Sequence, residues 1–385
     1  MKTGMSATPH NIAVVGLGNI GQAVHAPLTY QNPRSLLWGV SEPRSALALK
    51  VLDHLKKATK IPPGRMGSTP DPRIYENFDA LLKDEELEAA ILCVPHELHI
   101  PMATQLLEEG KVVFCEKPLC TTSDVGRQFL DWLVENHCED RFMLGYMWRW
   151  DPAVQRLHAF IDEEMHGLSR HPKRIEEFFR TGNYDSWLGK FRPITVRGFK
   201  PGPEKVRPAY LHSLSESLAY EWLINVWSHQ SNLTQYLLGA PRAVRDVKIG
   251  VTGGKFSFME DFGDFTSDCQ YAWTRGNHFY RGIRIFGENS SANLELQVPL
   301  DSAKTANLEI RENGVPVDYG DAGVENRWMY ATEFERFLDL LDHDYTQITA
   351  EDNRQALGDA VRDIQLAENV IKSHQQGAPV SFSED

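Results

Sequence analysis

The sequence predicts an α/β protein in which a doubly wound parallel sheet precedes an α+β domain with a large, mainly antiparallel open sheet. As far as residue 145, short apolar runs alternate with amphipathic stretches, which is typical of parallel strands covered by helices on both faces. From residue 244 to 319, alternating strand patterns are separated by glycine-rich turns. We therefore expect two domains, residues 1–147 and 148–385, with the last helix (about 351–373) packing back on the first domain.

Five nearly continuous apolar runs predict the parallel strands of the first domain, and they are Ile12–Val15, Leu36–Val40, Ala89–Val94, Val112–Cys115 and Phe142–Gly145. Amphipathic stretches such as Ser45–Lys57 predict the helices between them. The proline- and glycine-rich segment Thr59–Arg73 predicts a surface loop.

In the second half, the clearest helix is predicted at about Trp222–Leu238, because Gly239 and Pro241 supply the residues that end helices. The dipeptide Asn313-Gly314 between two strand patterns predicts a hairpin. Helices at about Tyr330–Asp342 and Glu351–Ser373 are predicted to close the chain.

Composition and charge exclude several classes of protein. The chain has 385 residues, 42% of them hydrophobic, and a net charge of −13, which disfavours nucleic acid and anionic membrane surfaces as partners. Its five cysteines have no metal-like or disulfide-like spacing, so reduced thiols are expected. Because the N-terminus has no signal-peptide pattern and no apolar run is long enough for a membrane span, we expect a cytoplasmic protein.

The first chemical motif is Gly16-Leu17-Gly18-Asn19-Ile20-Gly21, which directly follows the first predicted strand and opens a helical stretch. Glycines at these positions permit a tight turn, close backbone approach to a pyrophosphate and packing of the helix on the strand. The amide groups at the start of the helix then face the phosphates. The motif predicts a Rossmann dinucleotide-binding domain, with Gly16, Gly18, Asn19, Ile20 and Gly21 at the cofactor.

The end of the second strand bears on the choice of dinucleotide. Glu42 lies 21 residues after Gly21, where a carboxylate binds the ribose hydroxyls of NAD and repels the 2′-phosphate of NADP. Arg44, two residues further on, could instead hold that phosphate. NAD is therefore the predicted cofactor, and NADP remains the alternative.

Several ordered motifs resemble the glucose–fructose oxidoreductase / inositol dehydrogenase / rhizopine catabolism (Gfo/Idh/MocA) family. The motifs are Ala90-Ile91-Leu92-Cys93-Val94-Pro95-His96-Glu97-Leu98-His99, Glu116-Lys117-Pro118, Arg149-Trp150-Asp151-Pro152, the helix Leu223–Gly239, and the last helix with Gly377 and Val380. The resemblance covers the chain from about residue 11 to its end.

The resemblance implies that Lys117 reaches the reacting hydroxyl or carbonyl near the nicotinamide, and that Pro95, His96, His99 and Glu116 border the cofactor. It also implies that His229 is the general acid/base. The chain departs from the family at Asn225, where the family usually has Asp. Because a neutral amide can orient an imidazole but cannot stabilise its cation, we expect His229 to be a weaker base or mainly a substrate ligand.

Other polar and aromatic residues are candidates for contacts with the substrate. Asn225, His229 and Asn232 have helical spacing that predicts one polar side of a helix. The full predicted substrate set is Trp148, Arg149, Arg180, Tyr184, Asn225 and His229. No metal is predicted, since His96-Glu97-Leu98-His99 is one residue short of the zinc-protease helix motif and follows a strand.

Together these features predict an NAD(P)-dependent oxidoreductase that transfers hydride between the nicotinamide and a carbinol or ketone of a sugar, inositol or related polyol. One alternative is an NAD-dependent glycosidase that oxidises its sugar transiently. Another is a non-catalytic, dinucleotide-binding regulatory protein, which the retention of Lys117 and His229 disfavours. The exposed face of the predicted large sheet suggests a homodimer or homotetramer.

Overall fold

The computed structural model describes residues 8–58, 70–162, 172–183, 185–196, 208–317, 327–343 and 350–382. Its first sheet is fully parallel, with the strand order β3-β2-β1-β4-β5-β6. The strands are β1 (His10–Val15), β2 (Ser35–Ser41), β3 (Arg73–Tyr75), β4 (Ala89–Leu92), β5 (Val112–Glu116) and β6 (Phe142–Gly145). The five strands predicted from apolar runs are confirmed to within two residues at each end.

Helices cover both faces of this sheet. They are α1 (Ala26–Gln31), which follows a π-helical turn (Gly21–His25), then α2 (Ser45–Ala58), α3 (Phe78–Leu82), α4 (His99–Glu108) and α5 (Ser123–Glu135). The predicted loop Thr59–Arg73 lies outside the described residues from 59 to 69, and Arg73 begins β3. The short β3 was not predicted, because three residues with one buried side chain give no apolar run.

The strand order reverses between β1 and β4, so the carboxyl ends of these two strands border a crevice. Open α/β sheets place their ligands at this switch point. The turn after β1 is fixed to its neighbours, since Gly16 donates its backbone N–H to Ser41 and Cys93 donates its N–H to Val15. The glycine motif therefore lies at the mouth of the crevice.

The second sheet has nine strands in the order β14-β13-β12-β11-β7-β10-β9-β8-β15, and its pairs are antiparallel except for β7 with β10. The large, mainly antiparallel sheet is thus confirmed. Its strands are β7 (Arg174–Thr181), β8 (Ala243–Ile249), β9 (Lys255–Asp261), β10 (Thr266–Trp273), β11 (Phe279–Phe286), β12 (Ser290–Leu296), β13 (Asn307–Glu312), β14 (Val315–Val317) and β15 (Val380–Ser381). Its helices are α6 (Pro152–Phe160), α7 (Asp185–Leu188), α8 (Leu214–Trp222), α9 (Ser228–Leu238), α10 (Met329–Leu341) and α11 (Ala350–Gln376).

The central strand β7 was not predicted. Its sequence places Glu177 on the covered face between Ile175 and Phe179, which interrupts the apolar alternation expected of a strand. The predicted hairpin at Asn313-Gly314 is present, and both residues have positive φ (49° and 78°).

The helix predicted at about Trp222–Leu238 is a composite. A π-helical turn (Leu223–Trp227) separates α8 from α9, and α9 ends at Gly239 with φ at 82°. π-helical turns insert one extra residue into a helix and are frequent at functional sites. This turn carries Asn225, and His229 follows as the second residue of α9.

The two last helices contact both parts of the chain. In α11, Leu357, Ala360, Val361 and Ile364 join the core of the first sheet, whereas Leu366, Ala367, Val370 and Ile371 join the core under the second sheet. Helix α10 also packs on the first sheet, through residues that include Phe337. None of the helices within the described ranges has the length and apolar character that a membrane crossing requires.

Candidate active site

A cavity of about 400 Å³ opens where the crevice of the first sheet meets the second sheet. Its first end is formed by the glycine turn and the loop after β4, with Gly18, Asn19, Ile20, Cys93, Val94, His96 and His99. Its second end is formed by residues that include Lys117, Trp148, Trp187, Asn225, His229, Phe279, Arg281 and Tyr330. The crevice at the switch point therefore continues into a chamber between the two sheets.

The glycine turn has the shape that a dinucleotide requires. A Cβ atom on Gly16, whose φ is 89°, would lie 2.5 Å from the Cys93 carbonyl oxygen, and one on Gly21 would lie 2.3 Å from the Gly16 carbonyl oxygen. In contrast, a Cβ on Gly18 would meet no atom within 4 Å. Two glycines are thus needed by the fold, while the third leaves the backbone open toward the cavity, where a pyrophosphate would bind.

Glu42 and Arg44 interact with each other at the end of β2. The Glu42 carboxylate accepts hydrogen bonds from the Leu17 backbone N–H (2.9 Å) and from Nε and Nη2 of Arg44 (2.6 and 3.0 Å). Burial raises the pKa of Glu42, but these bonds outweigh it and the net shift is downward. The Glu42 carboxylate is therefore fixed by hydrogen bonds beside the glycine turn, and Arg44 forms an ion pair with it.

Lys117 follows β5 and enters the chamber, where its Nζ donates to the backbone carbonyl of Asn225 at 2.6 Å. The pKa of Lys117 is lowered to about 8, mainly by burial and also by nearby Arg281, while the charge of Glu116 opposes the shift. Glu116 itself is held by Nε2 of His25 at 2.7 Å. A lysine with such a pKa can both give and take a proton near neutral pH.

His229 lines the same chamber with only 8% of its surface exposed. Its Nδ1 is buried and has no hydrogen-bond partner among the described residues, and its ring packs edge-on against Tyr146, with the centroids 6.0 Å apart. Burial lowers the pKa of His229 well below its ordinary value, and Lys117 and Arg281 add to this effect. At neutral pH this imidazole is uncharged.

The structure differs from the prediction for the polar side of this helix. Asn225 lines the chamber, but its side chain donates to the Glu221 carbonyl (2.8 Å) and is not hydrogen-bonded to His229. Asn232 lies beneath the chamber, where it bonds Arg149 (2.6 Å) and Asp363 (2.9 Å). The extra residue of the π-helical turn breaks the spacing on which the prediction rested.

The cofactor residues predicted from the strand-end motifs lie in different surroundings. His96 lines the cavity, and Pro95 is exposed outside it. Both ring nitrogens of His99 are within hydrogen-bond distance of backbone carbonyl oxygens. Nδ1 lies 2.8 Å from the Pro118 oxygen, and Nε2 lies 3.0 Å from the Val94 oxygen. Since both ring nitrogens already have hydrogen-bond partners, His99 connects the loop after β4 with the loop after β5 rather than binding a ligand directly.

Two of the predicted substrate residues, Arg149 and Arg180, are not among those that line the chamber. Arg149 is buried and bonds Asp359 (2.8 Å), so its charge is neutralised outside the chamber, against the prediction. Arg180 is exposed and lines a separate depression with Lys248 and Lys255, because it lies on the uncovered face of β7. Tyr184 lies outside the described residues. Trp148 does line the chamber.

The sequence analysis did not identify Arg281, nor the aromatic residues Trp187 and Phe279 that line the chamber with it. Phe279, Arg281, Ile283 and Ile285 alternate along β11, and the covered face therefore carries one charged residue among apolar ones. That interruption was the available signal. Trp187 and Phe279 line the same end of the chamber and contact each other edge-on at 6.0 Å.

Behind Arg281, the structure brings together Glu177, Glu260 and Cys269, whose polar atoms lie within 4.8 Å of one another. The Glu177 oxygens accept from Ser267 (2.6 Å) and Thr234 (2.8 Å). Burial raises the pKa of Glu260 well above its ordinary value, and the charge of Glu177 adds to this. Because hydroxyl donors already occupy both oxygens of Glu177 and the pKa of Glu260 is raised, we interpret the group as a carboxyl pair rather than a metal centre.

Comparisons with known proteins agree with this architecture. Residues 10–146 match the family model described as "Oxidoreductase family, NAD-binding Rossmann fold" (GFO_IDH_MocA). Inositol 2-dehydrogenase from Paracoccus denitrificans is 29% identical over 116 residues, or 28% of this chain and 34% of that protein. D-xylose 1-dehydrogenase (NADP(+)) 2 from Haloferax volcanii is 30% identical over 97 residues, 24% of this chain and 28% of that protein.

Among solved structures, the WlbA dehydrogenase from Bordetella pertussis, in complex with NADH and UDP-GlcNAcA, has a TM-score of 0.68 at 14% identity. The alignment covers 99% of this chain and 100% of that one, so the likeness extends over both sheets and shows the fold. The matched segments span about a third of the length of the two curated relatives.

The glycine turn, the switch-point crevice and the adjoining chamber define a dinucleotide-binding α/β protein. The family-model match at residues 10–146 confirms the predicted resemblance to the Gfo/Idh/MocA oxidoreductase family and an NAD-binding Rossmann domain in this part of the chain.

Proposed function

We propose that this protein is an NAD-dependent oxidoreductase that interconverts a carbinol and a ketone of a sugar-like or polyol substrate, with Lys117 as the proton donor and acceptor. The observation that carries the proposal is the position of Lys117, whose ammonium projects into the chamber directly beyond the crevice for the dinucleotide. The bound nicotinamide supplies hydride transfer, and the chain supplies orientation and proton transfer.

Other residues that line the chamber are placed to orient Lys117 and to bind the substrate. The Asn225 carbonyl fixes the Lys117 ammonium, so its remaining protons can reach the substrate oxygen. His229, which is neutral and lines the chamber, is placed to hydrogen-bond a substrate hydroxyl. Trp148, Trp187 and Phe279 provide apolar surface on which a sugar ring can stack. The dehydrogenase names of the curated relatives support this class of substrate.

The preference for NAD rests on Glu42. Its ionised carboxylate lies beside the glycine turn and would repel a 2′-phosphate, and the Arg44 guanidinium is already paired with it. With purified protein, both oxidised cofactors and a panel of sugars, inositols and sugar acids, absorbance of the reduced nicotinamide should rise faster with NAD than with NADP. Tight cofactor binding without turnover on any substrate would contradict the proposal and favour a regulatory protein. Glycoside cleavage without net reduction of NAD would favour the glycosidase.

The pH dependence follows from the proton form of Lys117. Around Lys117 lie Glu116, Arg281 and His229, and together with burial they leave its pKa at about 8. Oxidation of a carbinol needs the neutral amine as proton acceptor, so kcat for oxidation should rise with pH through about 8. Reduction of the ketone needs the ammonium, so kcat for reduction should fall over the same interval. Parallel changes in both directions between roughly pH 6.5 and 9.5 would contradict the assignment.

A further inference from the structure

We propose that the substrate carries a carboxylate and that Arg281 binds it. This inference rests on the proposed function, since it names the class of molecule that the same chamber takes. Its basis is a buried guanidinium that lines the chamber and forms no ion pair with any residue that the structure describes.

Arg281 is only 2% exposed, although its side chain reaches the chamber wall. Its Nε donates to Oε1 of Gln230 (3.0 Å) and its Nη2 donates to the Val226 carbonyl (3.3 Å). The guanidinium also lies over the ring of Phe179, 4.6 Å from its centroid. These contacts fix the plane of the group, and within the described parts of the chain none of them is an ion pair.

The charges around Arg281 favour an anion in the chamber. Burial lowers the pKa of Arg281 to about 9, so it is still a cation at neutral pH, and Lys117 is a second cation that lines the cavity, where Glu116 is an acidic neighbour. The negative group that acts on Arg281 is Glu177 on the adjacent strand β7, and these two side chains form no ion pair. A buried charge without a paired partner is costly, and a bound anion would remove that cost.

The geometry favours a carboxylate over a phosphate. A planar guanidinium matches the two oxygens of a carboxylate with parallel hydrogen bonds. The single guanidinium of Arg281 matches a monovalent carboxylate, whereas a phosphate is usually bound by several donors together. The neighbouring walls of Arg281 are the aromatic rings of Trp187 and Phe279, which suit the rest of a sugar acid but not a dianion.

The test is calorimetric titration of the NADH-loaded protein with matched ligands: D-glucuronate against D-glucose, and D-galacturonate against D-galactose. Each uronate is expected to bind at least about tenfold more tightly than its neutral partner, because a charge-assisted hydrogen bond forms only with the acid. The variant Arg281→Gln should lose this preference, and Arg281→Lys should keep part of it. Titration with glucose 6-phosphate tests whether the chamber prefers a phosphate to a carboxylate.

Arg284→Gln is the matched control, because Arg284 lies three residues further along the same strand but stacks on Phe178 at the exposed face. It should keep the full uronate preference. Absence of uronate binding, equal affinity for acid and neutral sugar, tighter binding of the phosphate, or a preference that survives in Arg281→Gln would each overturn the proposal. Should Arg281→Gln not fold, the wild-type pairs and Arg281→Lys decide the question. Since titration measures binding, a uronate preference without turnover would reject only the proposed activity.

Discussion

Replacing Lys117 by methionine is expected to lower kcat by about 10²–10⁴-fold, the usual contribution of a general acid or base. The substitution keeps the volume of the side chain but removes the group that can exchange a proton with the substrate oxygen. The NADH dissociation constant should change only a few-fold, because the glycine turn lies at the other end of the cavity. Steady-state kinetics and a fluorescence titration with NADH would measure the two quantities separately.

Lys111 offers a control at the other end of β5. It is also buried, but it lies just before β5, at the opposite end of the strand from the crevice, where its Nζ bonds the carbonyls of Asp84 and Leu87 at 2.8 Å. Lys111→Met should lower the melting temperature and leave kcat near that of the wild type. Lys117→Arg should not restore activity, since a guanidinium does not give up its proton. Wild-type kcat in Lys117→Met would remove Lys117 from the chemistry.

The sequence predicted those parts of the site whose position depends only on residues close to them in the chain. The turn after β1 needs glycine because its own backbone and the adjacent β4 loop occupy the space of a side chain. The glycines that meet this need all lie within six consecutive residues, so the motif is visible in the sequence. Likewise, Lys117 is placed by the strand that precedes it. Such features depend on a short segment and on the rule that parallel strands bind ligands at their carboxyl ends.

The parts that were missed depend on partners distant in the sequence. Arg149 looked like a substrate ligand because Asp359, 210 residues away, could not be recognised as its partner. Arg281 was overlooked because its position at the chamber follows from the pairing of β11 with β7, and β7 itself was hidden by Glu177. In both cases a buried charge was the misleading feature, since its compensation is visible only in the folded chain.

The exposed middle glycine of the turn allows cofactor binding to be separated from folding. In Gly18→Val, the new side chain should enter open space, because no atom lies within 4 Å of its Cβ and the Gly18 backbone is not in the left-handed region. The melting temperature should therefore stay close to that of the wild type. The same side chain would hold a pyrophosphate away from the backbone amides, so the NADH dissociation constant should rise about 10- to 100-fold, as expected for one or two lost charge-assisted hydrogen bonds.

Gly21→Ala makes the comparison informative, because its Cβ would lie 2.3 Å from the Gly16 carbonyl oxygen and the turn would have to shift. That variant should lose both thermal stability and NADH affinity, whereas Gly18→Val should lose affinity alone. NADH affinity at the wild-type level in Gly18→Val would mean that the phosphates do not pass over this turn. A large fall in its melting temperature would instead mean that the space above Gly18 belongs to the protein rather than to a ligand.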